Sequence, residues 1–514
     1  MRLLMVDEGN DVRSQMAEGW ARALSAPGTE TRSAGSAPTR LRPEVIAVMR
    51  EVGIDLGSHH AKPLGGSARP DAVIDVGTDP SRVSMGQGVR RVRWAIPDPT
   101  LSEEGGLGPF RVARDAIGAR VSEWLAAQQC RASFGTAVRD RFVLPPDIAF
   151  LNHGSFGATP RSVLEAQRAL QDELEAQPVR FMLGAPDRLR RAAASVAAFL
   201  KANPDGLVFV ENATSGVNTV LRSMDWSAGD VIVTTTHRYN AVGTTLQYLA
   251  DRYGVVVHAI DVPFPLSGPG EVVQALRDQW PERRVRLALF DHVPSITATV
   301  WPVEAMIELA REKGAEVLID GAHVPGQVPV DLTKLKADYW VGNCHKWLFA
   351  PKGCAVLYVG RHKREALHPL VISHGYRHGL AAEFDWVGTR DPSAWLAVEA
   401  AIGFVQEMGG PDRIRAHNVA LRQQAAHMLE ARLGLEPCAP AALFASMETR
   451  LLPESVGGDP DGLSARIWSE HRVESMIAPF QGRLWLRISA QIYNAIGDYE
   501  RLATALEPLV AGPD

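Results

Sequence analysis

The chain has 514 residues, 46% of them hydrophobic and 22% charged, with a formal net charge of −5, so two or three domains are expected and no electrostatic footprint for nucleic acid. Its four cysteines, Cys130, Cys344, Cys354 and Cys438, form no CxxC pair, which excludes a zinc ribbon or a disulfide framework and suits a reducing compartment. The opening MRLLMVDEGN lacks the apolar core of a signal peptide and no run approaches a membrane span, so a cytoplasmic protein with neither a membrane partner nor a metal is expected.

In chain order, residues 1–128 read as a compact α/β unit. LLMV (3–6) is a short buried strand, and Ser14–Ser25 is an amphipathic helix with Met16, Trp20 and Leu24 on one face. A helix over Pro43–Val52 is ended by Gly53, AVIDV (72–76) is a strand, and Phe110–Ala127 is a closing helix. Arg90, Arg91 and Arg93 read as a solvated face. Residues 129–145 have no sustained period and read as a linker.

From residue 146 to 400, β-branched runs alternate with helices. The strands are 207–210, 230–235, 255–260, 285–290, 316–320 and 353–359, and helices are expected at 216–224, 241–253, 270–279 and 303–313. Such alternation implies a large, mostly parallel sheet covered on both faces. Residues 401–514 change character and predict a smaller α+β domain. Long helices at 394–408 and 411–433 lead to the strand RLWLRIS (483–489).

Sheets of this kind bind ligands at the carboxyl ends of their strands. After 207–210 stands Glu211-Asn212-Ala213-Thr214-Ser215-Gly216, small and polar, opening a helix whose N–H groups suit a phosphate. After 316–320 stands Asp320-Gly321-Ala322-His323, and an acid at a buried strand end requires a partner. Further on comes Asn343-Cys344-His345-Lys346-Trp347, where a lysine in an apolar run can be an amine of depressed pKa that condenses with a carbonyl. A single lysine is ordinarily a surface residue, and a capped helix start is common. The order of the three segments is what singles them out.

That set resembles the class V aminotransferase family of pyridoxal-phosphate enzymes, which includes cysteine desulfurases. LNHGSFGATP (151–160) and WVGTRD (386–391) are similar to its isopenicillin N epimerase branch. The resemblance covers residues 146–514 and implies the fold type I transferase architecture and pyridoxal 5′-phosphate as cofactor. It further implies that Lys346 holds the cofactor covalently and shuttles the Cα proton, that Asp320 pairs with the pyridinium nitrogen, and that His323 hydrogen-bonds the phenolic oxygen. Ala213, Thr214, Asn343 and His345 would hold the phosphate, although most members carry Ser where Asn343 stands. Thr389 would reach the phosphate of a neighbouring subunit, which implies a homodimer with shared active sites. The family places a ring over the cofactor face from THRYNAV (236–242), where His237 and Tyr239 both qualify. Arg487 would bind the substrate carboxylate with its planar fork, and Asn152 and His153 would line the entrance.

The family's desulfurases need a nucleophilic Cys shortly before that arginine. No cysteine follows Cys438, so persulfide-forming desulfuration is disfavoured. The remaining fates of an amino acid deprotonated at Cα are β-elimination by a C–S lyase, epimerisation, transamination and a decarboxylating variant. The C–S lyase acting on a cysteine S-conjugate or sulfur amino acid is the expectation. A reading of another class, a non-catalytic binding protein made of degenerate enzyme domains, is disfavoured because Lys346, Asp320 and Arg487 are intact.

VDEGNDVRSQMAEGWAR (6–22), SAGSAP (33–38), VMREVGIDLGSHHAKPL (48–64) and WAIPDPT (94–100) resemble the low-molecular-weight tyrosine phosphatases and the related arsenate reductases. In that family a thiolate attacks from a Cys-x5-Arg loop. Here the nucleophile position is Asp7, Glu8 and Asp11 add negative charge, and no thiol exists in residues 1–129, although Arg13 and the acid Asp98 remain. A catalytically degenerate domain follows. Arsenate-reductase relatives often handle low-molecular-weight thiols, and by that analogy alone a sulfur substrate for the fused enzyme is favoured.

Overall fold

The chain begins with the buried strand Arg2–Asp7, the centre of a parallel four-stranded sheet ordered Glu30–Gly35, Arg2–Asp7, Ala72–Asp75, Arg90–Arg93. The computed structural model describes residues 2–25, 29–64, 70, 72–77, 90–103, 105–131 and 134–511. Two compact units divide the chain, Met1–Ala132 and Ser133–Asp514. In the first, the helices Arg13–Leu24, Pro43–Glu51 and Gly108–Arg131 bury Met16, Val48 and Ile117 in one core with Met5 and Ile74 of the sheet. Two of its strands carried no readable pattern. Glu30–Gly35 is small and polar, and Arg90–Arg93, expected as a solvated face, is an edge strand whose Val92 packs on the core.

The closing helix runs on to Arg131, and within the expected linker Thr136–Arg139 forms a helical turn. Phe142 is fully buried in the main core of the second unit, which fixes that segment there.

The second unit is built on a seven-stranded sheet. Its order is Leu207–Val210, Ala355–Val359, Tyr339–Asn343, Glu316–Asp320, Val285–Asp291, Val231–Thr235, Val256–Ile260. Ala355–Val359 is antiparallel to both neighbours and the other pairings are parallel. Helices cover both faces, so the central strands are buried from end to end, as in Val231–Thr235 and Tyr339–Asn343. The helix expected at 394–408 is two, Ser393–Leu396 and Val398–Glu407, sharing Ala397 as a cap.

The C-terminal part adds an antiparallel sheet ordered Met447–Leu451, Arg483–Ser489, Met476–Phe480, backed by Pro411–Leu433 and Ile496–Val510. Ala149–Phe150 pairs with Val473–Glu474 and places the start of the unit against this layer. No helix among the described residues is long and apolar enough to cross a membrane.

Candidate active site

A cavity of about 520 Å³ opens at the carboxyl ends of the large sheet's strands. Its floor carries two acids. Asp320 ends the strand Glu316–Asp320, Asp291 ends Val285–Asp291, and the two are paired in register. Both are 4% exposed and both line the cavity. Burial raises the pKa of each, and the charge of Asp320 raises Asp291 further, so the two act as one titrating pair. One oxygen of Asp320 accepts the Ala322 N–H at 2.9 Å.

Lys346 lies in the turn between Tyr339–Asn343 and Ala355–Val359. That turn is drawn tight. The Lys346 carbonyl accepts from His153 Nε2 at 3.0 Å, and Gly157 approaches so closely that an added Cβ would stand 2.2 Å from the His345 carbonyl oxygen. Gly157 also has φ +71°, which glycine adopts without strain. Burial, with the positive charge of Arg487, lowers the Lys346 amine to about 7 against the opposing pull of Asp320 and Asp291. Its Nζ is 3.2 Å from His323 Nε2.

The helix Ala213–Ser223 opens onto the cavity, capped by Asn212, whose side chain accepts the Ser215 N–H at 2.8 Å. Asn343 Oδ1 accepts the Ala213 N–H at 2.8 Å, which explains how an amide is accommodated there. Thr214, Asn343 and His345 join Ala213 on the lining. His345 is fixed through Nδ1 to the Cys354 carbonyl at 3.1 Å, and burial lowers it to about 4.

Arg487, on the strand Arg483–Ser489, is 1% exposed. It donates to the Ser295 carbonyl at 2.6 Å, to Asn152 Oδ1 at 3.0 Å and to Ser155 Oγ at 2.9 Å, while its buried Nε has no acceptor. Among the described residues no carboxylate forms an ion pair with it. Burial lowers it to about 10, so it stays cationic at neutral pH. A buried cation without a counter-ion is an anion-binding feature.

Four expected residues fall elsewhere or act differently. His237 is not on the lining. Its ring nitrogens engage Thr297 Oγ1 and the Val262 carbonyl, and burial lowers it to about 4. Tyr239, by contrast, lines the cavity and is 44% exposed. His153 is buried beneath the Lys346 turn and bonded to the Tyr493 hydroxyl, not placed at an entrance. Asn152 meets Arg487 instead of the cavity itself. Thr389 is exposed and off the lining, while the adjacent Arg390 pairs with Glu211 at 2.8 Å. Asp291, Ser155, Phe156 and Ser295 were not anticipated. Ser155 and Phe156 stand within a segment already singled out, LNHGSFGATP, and Asp291 follows a predicted strand, so position was the only available signal.

In the first unit, Asp7 occupies the loop that would cradle an anion. It accepts from the Asn10 N–H at 2.7 Å, the Ser14 N–H at 3.0 Å and Ser14 Oγ at 2.8 Å. Arg13 is engaged by Asp98 at 3.2 Å and by the Ile96 carbonyl at 3.0 Å. Burial raises Asp7 despite these donors.

Comparison with known proteins agrees with this geometry. Residues 152–443 match the family described as aminotransferase class-V, and residues 2–133 match low molecular weight phosphotyrosine protein phosphatase. A putative L-cysteine desulfhydrase of Oryza sativa subsp. japonica is 34% identical over 402 residues, 71% of this chain and 83% of the relative. Isopenicillin N epimerase of Streptomyces clavuligerus is 32% identical, over 72% of this chain and 97% of its own. The cysteine desulfurase of Thermococcus onnurineus NA1 shares the fold, with a TM-score of 0.62 at 21% identity over 74% of this chain and 99% of that one.

The residues present fit pyridoxal phosphate. The cavity has the size of a cofactor pocket. It holds an enclosed amine of lowered pKa, a buried acid opposite it, and a helix N-terminus with an amide and an imidazole beside it. Lys346, Asp320, His323, Ala213, Thr214, Asn343 and His345 are the residues that could hold it.

Proposed function

The chain belongs to the aminotransferase class-V family and is a pyridoxal-phosphate enzyme acting on an amino acid, and from that premise we propose that it cleaves the carbon–sulfur bond of cysteine or of a cysteine S-conjugate. The observation that carries the reading is a buried lysine of lowered pKa on the cavity lining and, behind the lining residues Ser155 and Ser295 that it bonds, a buried arginine with no carboxylate of its own whose charge reaches that lysine. When bound, pyridoxal phosphate supplies an electron sink for negative charge developing at the substrate's Cα. The rest is done by side chains. Arg487 binds the substrate carboxylate, with Ser155, Ser295 and Asn152 fixing the plane of its fork. Lys346, its amine lowered to about 7 so that a large fraction is unprotonated at neutral pH, removes the Cα proton and holds it at Nζ. Asp320 would hold a positive partner on the cofactor ring's nitrogen, and Asp291, its neighbour in register, is the buried carboxyl whose pKa the charge of Asp320 raises. Expulsion of the β-sulfur then needs no protein thiol. Cys344, Cys354 and Cys438 are buried and none lines the cavity.

L-cysteine desulfhydrases among the relatives support elimination. Incubation of the holoenzyme with L-cysteine and with S-alkyl cysteines in deuterated water tests it. Pyruvate with sulfide or thiol is the expected outcome, and deuterium exchange at Cα with inversion and no pyruvate would refute it. That refuting outcome is the second reading, epimerisation, and Tyr239 at the cavity favours it by offering a second proton donor. Tyr239→Phe would then abolish racemisation, whereas His237→Phe would act on folding.

Two further parts belong to this reading. The first unit is catalytically silent, because Asp7 both replaces the thiol and occupies the loop donors an oxyanion would use. The enzyme is a homodimer, with Thr389 reaching the partner's site. The exposed apolar run Leu370, Val371 and Ile372, joined by the exposed Tyr376, supports a covered face in that part of the chain.

A further inference from the structure

His323 turns one ring nitrogen to the cavity and the other to the interior. Its Nε2 is 3.2 Å from Lys346 Nζ, and its Nδ1 accepts the indole N–H of Trp347 at 3.5 Å. An indole nitrogen donates and never accepts, so Nδ1 must present a lone pair. Burial keeps the ring neutral, and a neutral imidazole carries one N–H, which is therefore on Nε2. Lys346 Nζ in turn accepts with its own lone pair in its unprotonated form, the prevailing one above about pH 7.

Trp347 is held where it is. It is 2% exposed and its ring lies 4.8 Å from that of His153, which is itself bonded to Tyr493 and to the Lys346 carbonyl. His323 is tethered through its carbonyl to Gln327 Nε2 at 2.7 Å. The charges acting on the ring are those of Lys346, Arg487 and His345; Asp320 and Asp291 line the same cavity, but among the described residues no carboxylate hydrogen-bonds to either ring nitrogen, so none draws the proton to Nδ1.

We propose that Trp347 is a positioning residue whose indole N–H locks His323 as the Nε2–H tautomer, so that the histidine donates to the phenolic oxygen of bound pyridoxal phosphate. The opposite tautomer would aim a lone pair at an oxygen that carries negative charge. The second half of the statement rests on the reading of the cavity given above, and the first half does not.

Trp347→Phe keeps an aromatic ring and removes the donor, and two measurements read the consequence. In cofactor-free protein labelled with 15N at histidine, the His323 resonances, assigned by their loss in His323→Gln, should show Nε2 protonated in the wild type. In Trp347→Phe the two nitrogens should move toward a common shift as both tautomers populate. A wild-type His323 protonated on Nδ1, or an unchanged pattern in the variant, overturns the tautomer lock.

In holoenzyme, the absorbance of bound pyridoxal phosphate is titrated with pH. Loss of a fixed donor to the phenolic oxygen should raise the midpoint by about one unit, a tenfold change in the equilibrium. In the His323→Gln background, where an amide donates whatever Trp347 does, the same substitution should move it by less than about a third of that. Equal shifts in both backgrounds, or none in either, overturn the role toward the cofactor. A protein that takes up no pyridoxal phosphate contradicts the cavity reading and the cofactor half together, and the nitrogen resonances still decide the tautomer.

Discussion

Lys346 matters because it gives up its proton near neutral pH, where a lysine is ordinarily a cation. In the unfolded chain it takes a proton below its ordinary value of 10.5, and in the folded, cofactor-free protein only below about 7. Between those values the unfolded state binds more protons, so stability rises with pH by up to about 1.4 kcal/mol per unit. Lys346→Met removes this term. Urea unfolding of the two cofactor-free proteins should give a stability difference that widens as pH falls from 10 to 7, and parallel curves would refute the depressed amine.

At this scale the sequence revealed residues whose chemistry is rare in its setting. A lysine in an apolar turn, an acid closing a buried strand and an arginine within RLWLRIS are conspicuous in the letters alone. Asp291 was not, because its meaning comes from the register that sets it beside Asp320. His153 misled for a related reason. A polar motif does not say which of its side chains turn inward, and this one lies beneath the lysine turn with both ring nitrogens engaged.

Among elements, the C-terminal sheet and the helix Pro411–Leu433 are joined by a buried ionic triad. Arg422 Nη1 is 2.7 Å from Glu448 Oε2, and Arg450 Nη2 is 2.6 Å from Glu448 Oε1. All three side chains are at most 3% exposed. Glu448→Gln leaves two enclosed guanidinium groups facing a neutral amide, and about 3–5 kcal/mol should be lost in urea unfolding. A loss under about 1 kcal/mol would show that the arginines find other acceptors.

The elements legible in advance were those with a strong period or a β-branched run. Tyr339–Asn343 has a Gly and an Asn in five residues and was unreadable as a strand, although it is fully buried. The antiparallel sense of Ala355–Val359 depends on a short turn that carries Lys346, and no local pattern encodes it.

For the whole molecule, two families stand in one chain, and the proposed division of labour leaves the first unit without chemistry. The first unit should turn over no aryl phosphate, and Asp7→Ala should leave that rate at zero. Hydrolysis abolished by Asp7→Ala would contradict this and mean that the Asp7 carboxylate serves as a phosphoryl acceptor. Sedimentation should give twice the chain mass. Val371→Asp with Ile372→Asp should shift it toward the monomer and weaken cofactor retention, whereas an unchanged dimer would move the interface elsewhere. The sequence made both units recognisable through their motifs. It left the self-occupied loop of the first unseen, because the hydrogen bonds from Asn10 and Ser14 to Asp7 exist only once the loop has closed.

Reduction of the holoenzyme with borohydride, followed by proteolysis and mass spectrometry, reads directly which amine carries the cofactor. A pyridoxyl adduct confined to the peptide containing Lys346, and absent from Lys346→Ala, is the expected result. An adduct on another lysine, or none after incubation with pyridoxal phosphate, would contradict it.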